Sequence, residues 1–239
     1  MPQEESKRLV LEKNLRHVAF IMDGNGRWAR KKGMPREYGH TVGAKTFKKV
    51  ITYCYECGIE CVTVYAFSTE NWKRSEKEVK ALMTLFSSYV DSAYGDLSKN
   101  NIRIYFVGDR DRLPAVLVRK IEDLEKKTEG GTRILNIALN YGSRDEILHV
   151  VNSLIKEGVT EVDEAAFNSR LYTAASPDPD LVVRTAGEQR LSNFLLWQAA
   201  YSEFYYTDTL WPDMDERELD KAFAAFGGRV RRYGAVVEQ

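Results

Sequence analysis

The feature that most constrains this chain is an apolar run that ends in an acidic residue and a glycine turn. Residues 18–22, VAFIM, are apolar without interruption, which is typical of a strand covered on both faces in a parallel sheet. Asp23 follows directly, and Gly24 and Gly26 allow the main-chain N–H groups to approach a bound anion closely. Because open parallel sheets bind ligands at the carboxyl ends of their strands, we expect an α/β fold with a site at Asp23.

A dense set of basic side chains follows this turn. It comprises Arg27, Arg30, Lys31, Lys32, Arg36 and the titratable His40. A carboxylate such as Asp23 suits a divalent cation, while arginines and backbone amides suit phosphate oxygens. An ordinary interpretation stays open, since Asn-Gly pairs form many turns and a Lys/Arg run is usually a solvated helix face. The segment is not a P-loop, because the chain has no GxxxxGK[ST] motif.

Length and charge narrow the possibilities further. The 239 residues suffice for one large α/β domain or two small ones; we predict a single domain over 1–239 with residues 1–16 as a flexible N-terminal segment. With 35 basic and 35 acidic residues, the chain gives no global electrostatic reason to bind nucleic acid. It shows no secretory signal and no apolar run near the roughly 20 residues of a spanning helix. We therefore expect a cytoplasmic protein, with at most peripheral membrane contact.

All three cysteines lie in one short stretch, CYECGIEC, as Cys54, Cys57 and Cys61. The CxxC pair raises the hypothesis of a metal or redox site. However, no second CxxC or HxxxH pair completes a tetrahedral set, and Cys54 shares the helical spacing of the apolar residues Phe47 and Ile51. We predict that the cysteines are small buried side chains.

Hydrophobic periodicity predicts strands and helices in alternation. Strands are expected at 18–22, 59–67, 102–107, 132–140 and 181–184, with a sixth near Glu203. Helices are expected at 41–57, 76–100, 113–128, 143–155, 164–174 and 215–226, with another starting at 191; Ser143 and Glu146 have the spacing of a capping box. Right-handed crossovers would give a single α/β domain with a mostly parallel central sheet of about six strands flanked by helices.

Two further polar clusters follow later strands. STENWKRSEKE supplies Ser68, Asn71 and Arg74, and RTAGEQRLSN supplies Arg184, Arg190 and Ser192. Parallel strand ends share one edge of a sheet, so these side chains are expected to face the same crevice as Asp23. Two alternatives stay open. In the first, Thr69 or Asn71 has no role beyond capping the next helix. In the second, the later cluster is a surface loop with ion pairs to Glu188.

The available polar groups indicate a class of chemistry. The chain has no GxSxG motif, and its imidazoles are limited to His17, His40 and His149, which disfavours acyl transfer. Arginines, hydroxyls and a carboxylate instead suit a site that holds diphosphates and stabilises a leaving pyrophosphate.

Several motifs together resemble the cis-prenyltransferase family, nearest to its undecaprenyl diphosphate synthase (isoprenyl transferase) members. They are HVAFIMDGNGRWARKKG at 17–33, GH at 39–40, YAFSTENWKR at 65–74, LNIALNYG at 135–142 and the segment 180–213. The resemblance implies successive condensation of isopentenyl diphosphate onto an allylic starter, typically farnesyl diphosphate, with cis double bonds. It also implies a Mg²⁺-dependent homodimer and a long product of undecaprenyl length, a lipid carrier for the cell wall.

The resemblance also implies roles for individual residues. Asp23 and Asn71 would be catalytic, and Asp23 would bind Mg²⁺ together with Glu203 from across the dimer interface. The substrate-binding set would be Gly24, Asn25, Gly26, Arg27, Trp28, Arg36, His40, Ser68, Glu70, Trp72, Arg74, Arg184, Arg190 and Ser192. Ala66, Leu82, Leu85 and Phe86 would line an apolar tunnel for the growing chain.

Three positions depart from the family pattern. Ala186 stands where glycine is frequent, Gln189 where histidine is frequent, and Ser75 where proline is frequent. The alternatives are a shorter-chain synthase, a non-catalytic subunit of a heteromeric prenyltransferase, and a nucleotide-phosphate hydrolase. The complete set of polar residues argues against the second, and the lack of a base motif argues against the third. Trans-type synthases use DDxxD motifs, and this chain has no adjacent aspartate pair.

Overall fold

In the described residues, 2–97 and 101–229, six parallel strands form one sheet that helices flank. The structure is a computed structural model. The strands are β1 His17–Ile21, β2 Cys61–Ser68, β3 Ile102–Val107, β4 Arg133–Tyr141, β5 Leu181–Arg184 and β6 Glu203–Tyr206. The helices are α1 Pro2–Glu12, α2 Asn25–Lys31, α3 Arg36–Glu56, α4 Glu76–Leu97, α5 Ala115–Lys127, α6 Ser143–Lys156, α7 Glu164–Asn168 and α8 Glu216–Gly227. Short 3₁₀ turns lie at Thr69–Lys73, Gln198–Tyr201 and Trp211–Asp213.

The strand order places a crevice beside the first strand. The order is β3-β4-β2-β1-β5-β6, and every neighbouring pair is parallel. From β1 the chain adds β2 beside it, then β3 at the edge, and β4 between β2 and β3; it then returns to the other side of β1 with β5 and β6. The order therefore reverses between β1 and β5, where doubly wound sheets bind ligands. Ile21 pairs with Tyr65 on one side and Arg184 on the other, so the polar segments after these strands share one edge.

The position of β1 in the sheet explains its apolar sequence. All five of its residues are buried. Val18 and Phe20 pack into the larger core with side chains of α1, α3, α4, α5 and α8. Ala19 and Ile21 pack on the opposite face, in a second core that contains Phe194. Alternate side chains of one strand thus fill two cores, and the predicted α/β fold is confirmed.

The first segment differs from the prediction of a flexible N-terminus. Pro2–Glu12 form α1, which packs against α8. Val10 is 2% exposed, and the Ser6 hydroxyl donates a hydrogen bond to Asp220 of α8. The prediction failed because an isolated helix of this length is marginal, and its contacts with α8 stabilise it.

Some predicted helix boundaries are wrong. α3 begins at Arg36 rather than at 41, and α7 ends at Asn168 rather than at 174. The helix expected from 191 is an irregular loop, in which Ser192 and Asn193 have φ values of 50° and 64°. This left-handed conformation does not occur inside a right-handed helix. The loop nevertheless brings Ser192 to the carboxyl end of β5, where its hydroxyl contacts Arg184.

The predicted capping box at the start of α6 is also wrong. Gly142 is the N-cap residue, and the Ser143 hydroxyl accepts a hydrogen bond from the Leu196 N–H at 3.0 Å. Glu146 is buried and accepts hydrogen bonds from the Tyr141 hydroxyl at 2.5 Å and from the Gln198 amide at 3.0 Å. Both residues therefore fix α6 to other segments rather than capping it.

The cysteines are free and buried, which confirms the apolar interpretation. Burial raises the pKa of the Cys57 thiol to about 11 and that of Cys61 to about 12. The thiols are therefore protonated at neutral pH and are poor nucleophiles or metal ligands.

Acidification should destabilise the fold through His17. This fully buried ring lies 2.7 Å from the Pro177 carbonyl and 2.8 Å from Thr63 Oγ1, and burial lowers its pKa from 6.5 to about 4. Folding keeps the ring neutral, so its contribution is complete above pH 6.5 and is lost as the pH falls towards about 4. The full loss is about 3 kcal/mol.

Urea denaturation between pH 7 and pH 4 measures this effect. The variant His17→Gln should lose much of the pH dependence that the wild type shows. His149→Gln is the matched control, since this ring is exposed and stacks on Tyr172 at the surface, and this variant should keep most of the wild-type pH dependence. An unchanged pH profile in His17→Gln would contradict the assignment.

Candidate active site

A cavity of about 820 Å³ lies at the carboxyl edge of the sheet. Its polar lining comes from the ends of β1, β2 and β5, from the segments that follow them and from α3, and includes Asp23, Asn25, His40, Ser68, Glu70, Asn71, Arg74, Arg184 and Ser192. Its apolar lining includes Ala66 of β2 and, on α4, Leu82, Leu85, Phe86 and Tyr89. The structure thus brings residues of all three predicted polar clusters, and the four predicted tunnel residues, to one cavity.

Asp23 is held by the backbone at the junction of β1 and β5. Its N–H donates to Thr185 Oγ1 at 2.9 Å, and its carbonyl accepts from the same hydroxyl at 2.7 Å and from the Trp211 N–H at 3.0 Å. Its Oδ1 accepts the Gly24 N–H at 2.6 Å. The carboxylate remains 32% exposed, so it is fixed in place yet accessible to a ligand.

Arg184 connects Asp23 to the later loop. Its Nη2 lies 3.2 Å from Asp23 Oδ2, and its Nη1 donates to Ser192 Oγ at 2.8 Å. The side chain is only 5% exposed, and its buried Nε has no hydrogen-bond partner within the described chain. Asp23 compensates the charge, but a buried donor without an acceptor is still unfavourable, and a phosphate oxygen is a suitable acceptor for a guanidinium. The geometry therefore suits an anion site.

Glu188 holds arginines of two different clusters. Its carboxylate lies 3.5 Å from Arg27 of α2 and 2.5 Å from Arg190. Arg27 also lies 3.4 Å from Asp23. The segment after β5 thus combines the two predicted arrangements. Arg184 lines the cavity, as expected for a site residue, while Arg190 forms an exposed ion pair with Glu188, as expected for a surface loop.

A neutral histidine, His40 of α3, lies near Arg36 of the same helix and near Arg74, which precedes α4. Burial, followed by the charges of Arg74 and Arg36, lowers the pKa of His40 to about 4. Glu78 accepts from Arg74 at 2.9 Å and lies 3.3 Å from Arg36. His40 is therefore neutral at physiological pH, and its buried Nε2 has no hydrogen-bond partner within the described residues.

The segment after β2 is ordered by its own polar side chains. The Ser68 N–H donates to Asn71 Oδ1 at 3.2 Å, which forms a capping box around the Thr69–Lys73 turn. Asn71 therefore takes part in a cap, but of this short turn and not of α4, and Ser68 and Asn71 also line the cavity. Burial acts to raise the pKa of Glu70, but hydrogen bonds such as that from Asn193 at 3.0 Å outweigh it and lower the pKa.

Several predicted substrate-binding residues do not line the cavity. Trp28 donates to Asp213 at 2.6 Å, and Trp72 donates to Asn140 at 2.6 Å and lies beneath Arg112. These tryptophans support the fold around the site. Gly24, Gly26, Arg27 and Arg190 lie outside the lining but adjoin or contact residues that form it. Arg36 also lies outside it and pairs with Glu78, which is not part of the lining.

Glu203 lies far from Asp23 within one chain. It pairs with Leu181 at the amino end of β5, whereas Arg184 at the carboxyl end contacts Asp23. Three residues of strand separate these levels by about 10 Å. Glu203 instead pairs with Arg229, so the two predicted metal ligands do not meet within one chain.

The residues around Asp23 fit a magnesium ion that a substrate helps to bind. Within the described ranges, no group of three or more His, Cys, Asp or Glu side chains could hold a metal alone. Mg²⁺ commonly uses one or two carboxylates, water and substrate phosphates instead. The accessible Asp23 carboxylate beside an anion site meets that requirement.

Sequence reasoning missed four residues that shape the site: Thr185, Trp211, Asn193 and Glu78. Only Glu78 carries a local signal, since it lies four residues after Arg74 and such pairs meet on a helix face. The others act across long sequence separations, which no local pattern reveals.

Of the departures from the family pattern, Ala186 carries a conformational cost. It has φ of 74°, a left-handed conformation that disfavours residues with a Cβ. Ser75 compensates for the missing proline, because its hydroxyl accepts the Glu78 N–H at 3.3 Å and caps α4. Gln189 is exposed and supplies no titratable group.

Comparison with known proteins identifies the family. The family model described as putative undecaprenyl diphosphate synthase matches residues 21–234. The chain is 52% identical to the isoprenyl transferase of Fusobacterium nucleatum, over 95% of this chain and 99% of the relative. It is 47% identical to that of Aquifex aeolicus, over 93% and 97%.

Solved structures agree. The crystal structure of lavandulyl diphosphate synthase from Lavandula x intermedia in complex with dimethylallyl diphosphate superimposes with a TM-score of 0.89, at 35% identity over 93% of this chain and 99% of that one. The crystal structure of a probable undecaprenyl diphosphate synthase from Campylobacter jejuni has a TM-score of 0.78. Its sequence is 35% identical, over 92% of this chain and 98% of that one. The chain therefore belongs to the cis-prenyltransferases, enzymes that condense isoprenoid diphosphates. Within that class it belongs to the undecaprenyl diphosphate synthase family, which confirms the resemblance.

Gly24 should be far less tolerant of alanine than Gly33, although both have positive φ, of 103° and 66°. A Cβ at Gly24 would lie 2.9 Å from Leu210 Cδ2 and 3.0 Å from Ala186 Cβ, whereas a Cβ at Gly33 would meet nothing within 4 Å. We expect Gly33→Ala to cost about 1 kcal/mol from backbone strain and Gly24→Ala about 2–4 kcal/mol, because overpacking adds to it. Urea denaturation measures both. If both variants lost the same free energy of unfolding, the contacts with Leu210 and Ala186 would be unimportant.

Proposed function

We propose that this enzyme condenses isopentenyl diphosphate successively onto an allylic diphosphate, with farnesyl diphosphate as starter. The new double bonds are cis, each step releases pyrophosphate, and the product is a polyprenyl diphosphate of undecaprenyl length. The observation that carries the proposal is a single cavity with arginines and a carboxylate on its polar lining and α4 side chains on its apolar lining. The relatives named isoprenyl transferase support it.

The polar residues divide between two diphosphates. Arg27, Arg36 and the backbone of the Gly24–Gly26 turn hold the allylic diphosphate, with His40 beside it. Arg184, Arg190 and Ser192 hold isopentenyl diphosphate. Support comes from Glu188, which lies within 3.5 Å of Arg27 and 2.5 Å of Arg190 and so keeps the two groups adjacent. Holding both reactants side by side lowers the entropic part of the barrier.

Asp23 binds Mg²⁺ and helps the allylic pyrophosphate to leave. When bound, the ion neutralises negative charge that develops on the departing oxygens. Arg27 and Arg184, within 3.4 Å and 3.2 Å of Asp23, add fixed positive charge at the same place. Asn71 lies by the reacting carbon, and its amide is oriented by the Ser68 N–H. The apolar wall excludes water from the allylic cation.

The growing chain extends along the apolar lining, which forms the proposed tunnel. Leu82, Leu85 and Phe86 supply one wall from α4. The pairing register of β2 with β4 shifts between Tyr65 and Phe67, which places Ala66 at a bulge. Bulges re-aim side chains, and here the small Ala66 side chain lines the cavity.

We propose a homodimer in which Glu203 completes the metal site of a second copy. An exposed apolar face supports this: on α6 it includes Leu148, Val151 and Ile155, which are 61%, 39% and 65% exposed. Trp197 and Tyr201, 36% and 70% exposed, lie in the loop before β6. An apolar surface of this kind is typical of a subunit contact. The proposal fits the position of Glu203, because Glu203 and Asp23 of one chain lie at different ends of the strands.

We place the enzyme in the cytoplasm, with peripheral contact at the inner face of the membrane when the lipid product leaves. In the portion of the chain that the structure describes, no helix has the length and apolarity needed to cross a bilayer. Lys45 and Lys48 line the cavity and suit an anionic surface there.

Incubation with farnesyl diphosphate, isopentenyl diphosphate and Mg²⁺ tests the proposal. We expect pyrophosphate release and long polyprenyl diphosphates, and chromatography of the products gives their length. A folded protein that releases no pyrophosphate under these conditions would refute the reaction, and short products alone would favour a shorter-chain synthase.

Asp23→Ala should lower kcat by a factor of about 10² or more, because charge stabilisation of the leaving group is lost. Circular dichroism checks that the variant is folded. Asp109→Ala is the matched control, since Asp109 follows β3 at the same sheet edge but lies outside the cavity lining, and its kcat should stay close to that of the wild type. Near-normal turnover in folded Asp23→Ala would disprove the role.

Ala66→Phe should shorten the products, because a bulky ring at this bulge fills part of the tunnel. Starter consumption should continue, since the polar lining is untouched. Val116→Phe adds the same ring on the exposed face of α5, where Val116 is 57% exposed, and should leave the product distribution unchanged. Undiminished chain length in an active Ala66→Phe variant would place the tunnel elsewhere.

A further inference from the structure

The side chain of Asn25 occupies space that only a glycine at position 43 leaves open. A Cβ at Gly43 would lie 2.0 Å from Asn25 Oδ1 and 2.9 Å from Trp211 Cδ1. Gly43 is inside α3 and does not have positive φ, so its backbone does not require glycine. Glycine inside a helix is unfavourable relative to alanine. The close approach of Asn25 is therefore the reason for glycine here.

Asn25 has little else to fix its side chain. Its Nδ2 donates to the Met22 carbonyl at a long 3.3 Å, and its buried Oδ1 has no hydrogen-bond partner within the described residues. The position of the amide is thus set by Met22 on one side and by the bare Cα of Gly43 on the other. Asn25 lines the cavity beside Asp23.

Trp211 ties this arrangement to the end of β1. Its indole Nε1 donates to the Gly43 carbonyl at 2.8 Å, and its N–H donates to the Asp23 carbonyl at 3.0 Å. The side chain is 1% exposed and packs against Phe20 of β1 at a ring distance of 6.0 Å. One buried residue therefore sets the distance between α3 and Asp23.

We propose that Gly43, held by Trp211, is a positioning residue: it lacks a side chain so that the Asn25 amide keeps its place beside Asp23. Its kinetic consequence rests on the proposed function, in which the Gly24–Gly26 turn holds the allylic diphosphate. A side chain at position 43 displaces the Asn25 amide, and so misaligns that diphosphate.

Gly39, one helical turn earlier, provides a matched control. A Cβ at Gly39 would lie 2.1 Å from the backbone oxygen of Asn25 and 2.8 Å from its backbone carbon. Truncating the Asn25 side chain cannot relieve that contact. It does remove Oδ1, the atom nearest to a Cβ at Gly43.

A double-mutant cycle tests the proposal by urea denaturation and by initial pyrophosphate release from farnesyl and isopentenyl diphosphates. Gly43→Ala should lower the denaturation midpoint and reduce kcat/KM by about 10²-fold, the scale of a misplaced group. Adding Asn25→Ala should restore most of the midpoint but none of the activity. In the Asn25→Ala background, Gly43→Ala should cost no further activity. The midpoint of Gly39→Ala should not recover with Asn25→Ala.

The proposal would be overturned if the midpoint changes of Gly43→Ala and Asn25→Ala simply added in the double variant. Normal kcat/KM in Gly43→Ala would also overturn it. Where Gly43→Ala alone yields no folded protein, recovery of folded double variant supports it and failure of both refutes it. The denaturation measurements need no substrate. A wild-type protein without condensation activity would therefore refute the proposed function while leaving the midpoint result to decide the role of Gly43.

Discussion

The contact between Asp23 and Arg184 determines how the rest of the site is arranged. A guanidinium that is 5% exposed needs a counter-charge, since an uncompensated buried charge is strongly destabilising. Asp23 supplies that charge at 3.2 Å, and the Thr185 hydroxyl locks its backbone. The pairing of β1 with β5 brings these groups together, so the sheet order itself assembles the polar centre of the candidate site.

Shared carboxylates extend this arrangement across the site. Asp23, Glu78 and Glu188 each contact two arginines from different parts of the chain. The cations are thereby held in place before any ligand binds, which is the preorganisation that electrostatic catalysis needs. A formal net charge of zero is thus compatible with a cavity suited to diphosphates, because carboxylates hold several arginines together at one place in the chain's fold.

The sequence predicts the centre of the molecule better than its margins. The buried strand β1 and the polar segments after β1, β2 and β5 follow from local patterns, because periodicity and strand-end position are local properties. The helix α1 and the loop at Ser192 were mispredicted, since contacts with α8 and left-handed backbone conformations decide them. Trp211 carries no local sign that it joins Asp23 to Gly43. Three-dimensional proximity alone gives it that role.

The position of β5 has a consequence for the order of folding. Asp23 and Arg184 are 161 residues apart, and closing so long a loop is entropically costly and slow. Domains fold as synthesis proceeds from the N-terminus, so β1 and β2 can pair long before β5 exists. Asp23, Arg27 and Arg36 thus emerge early from the ribosome, long before Arg184 and Ser192. Competence for catalysis arises only once most of the chain has been made, and a prematurely terminated polypeptide lacks it.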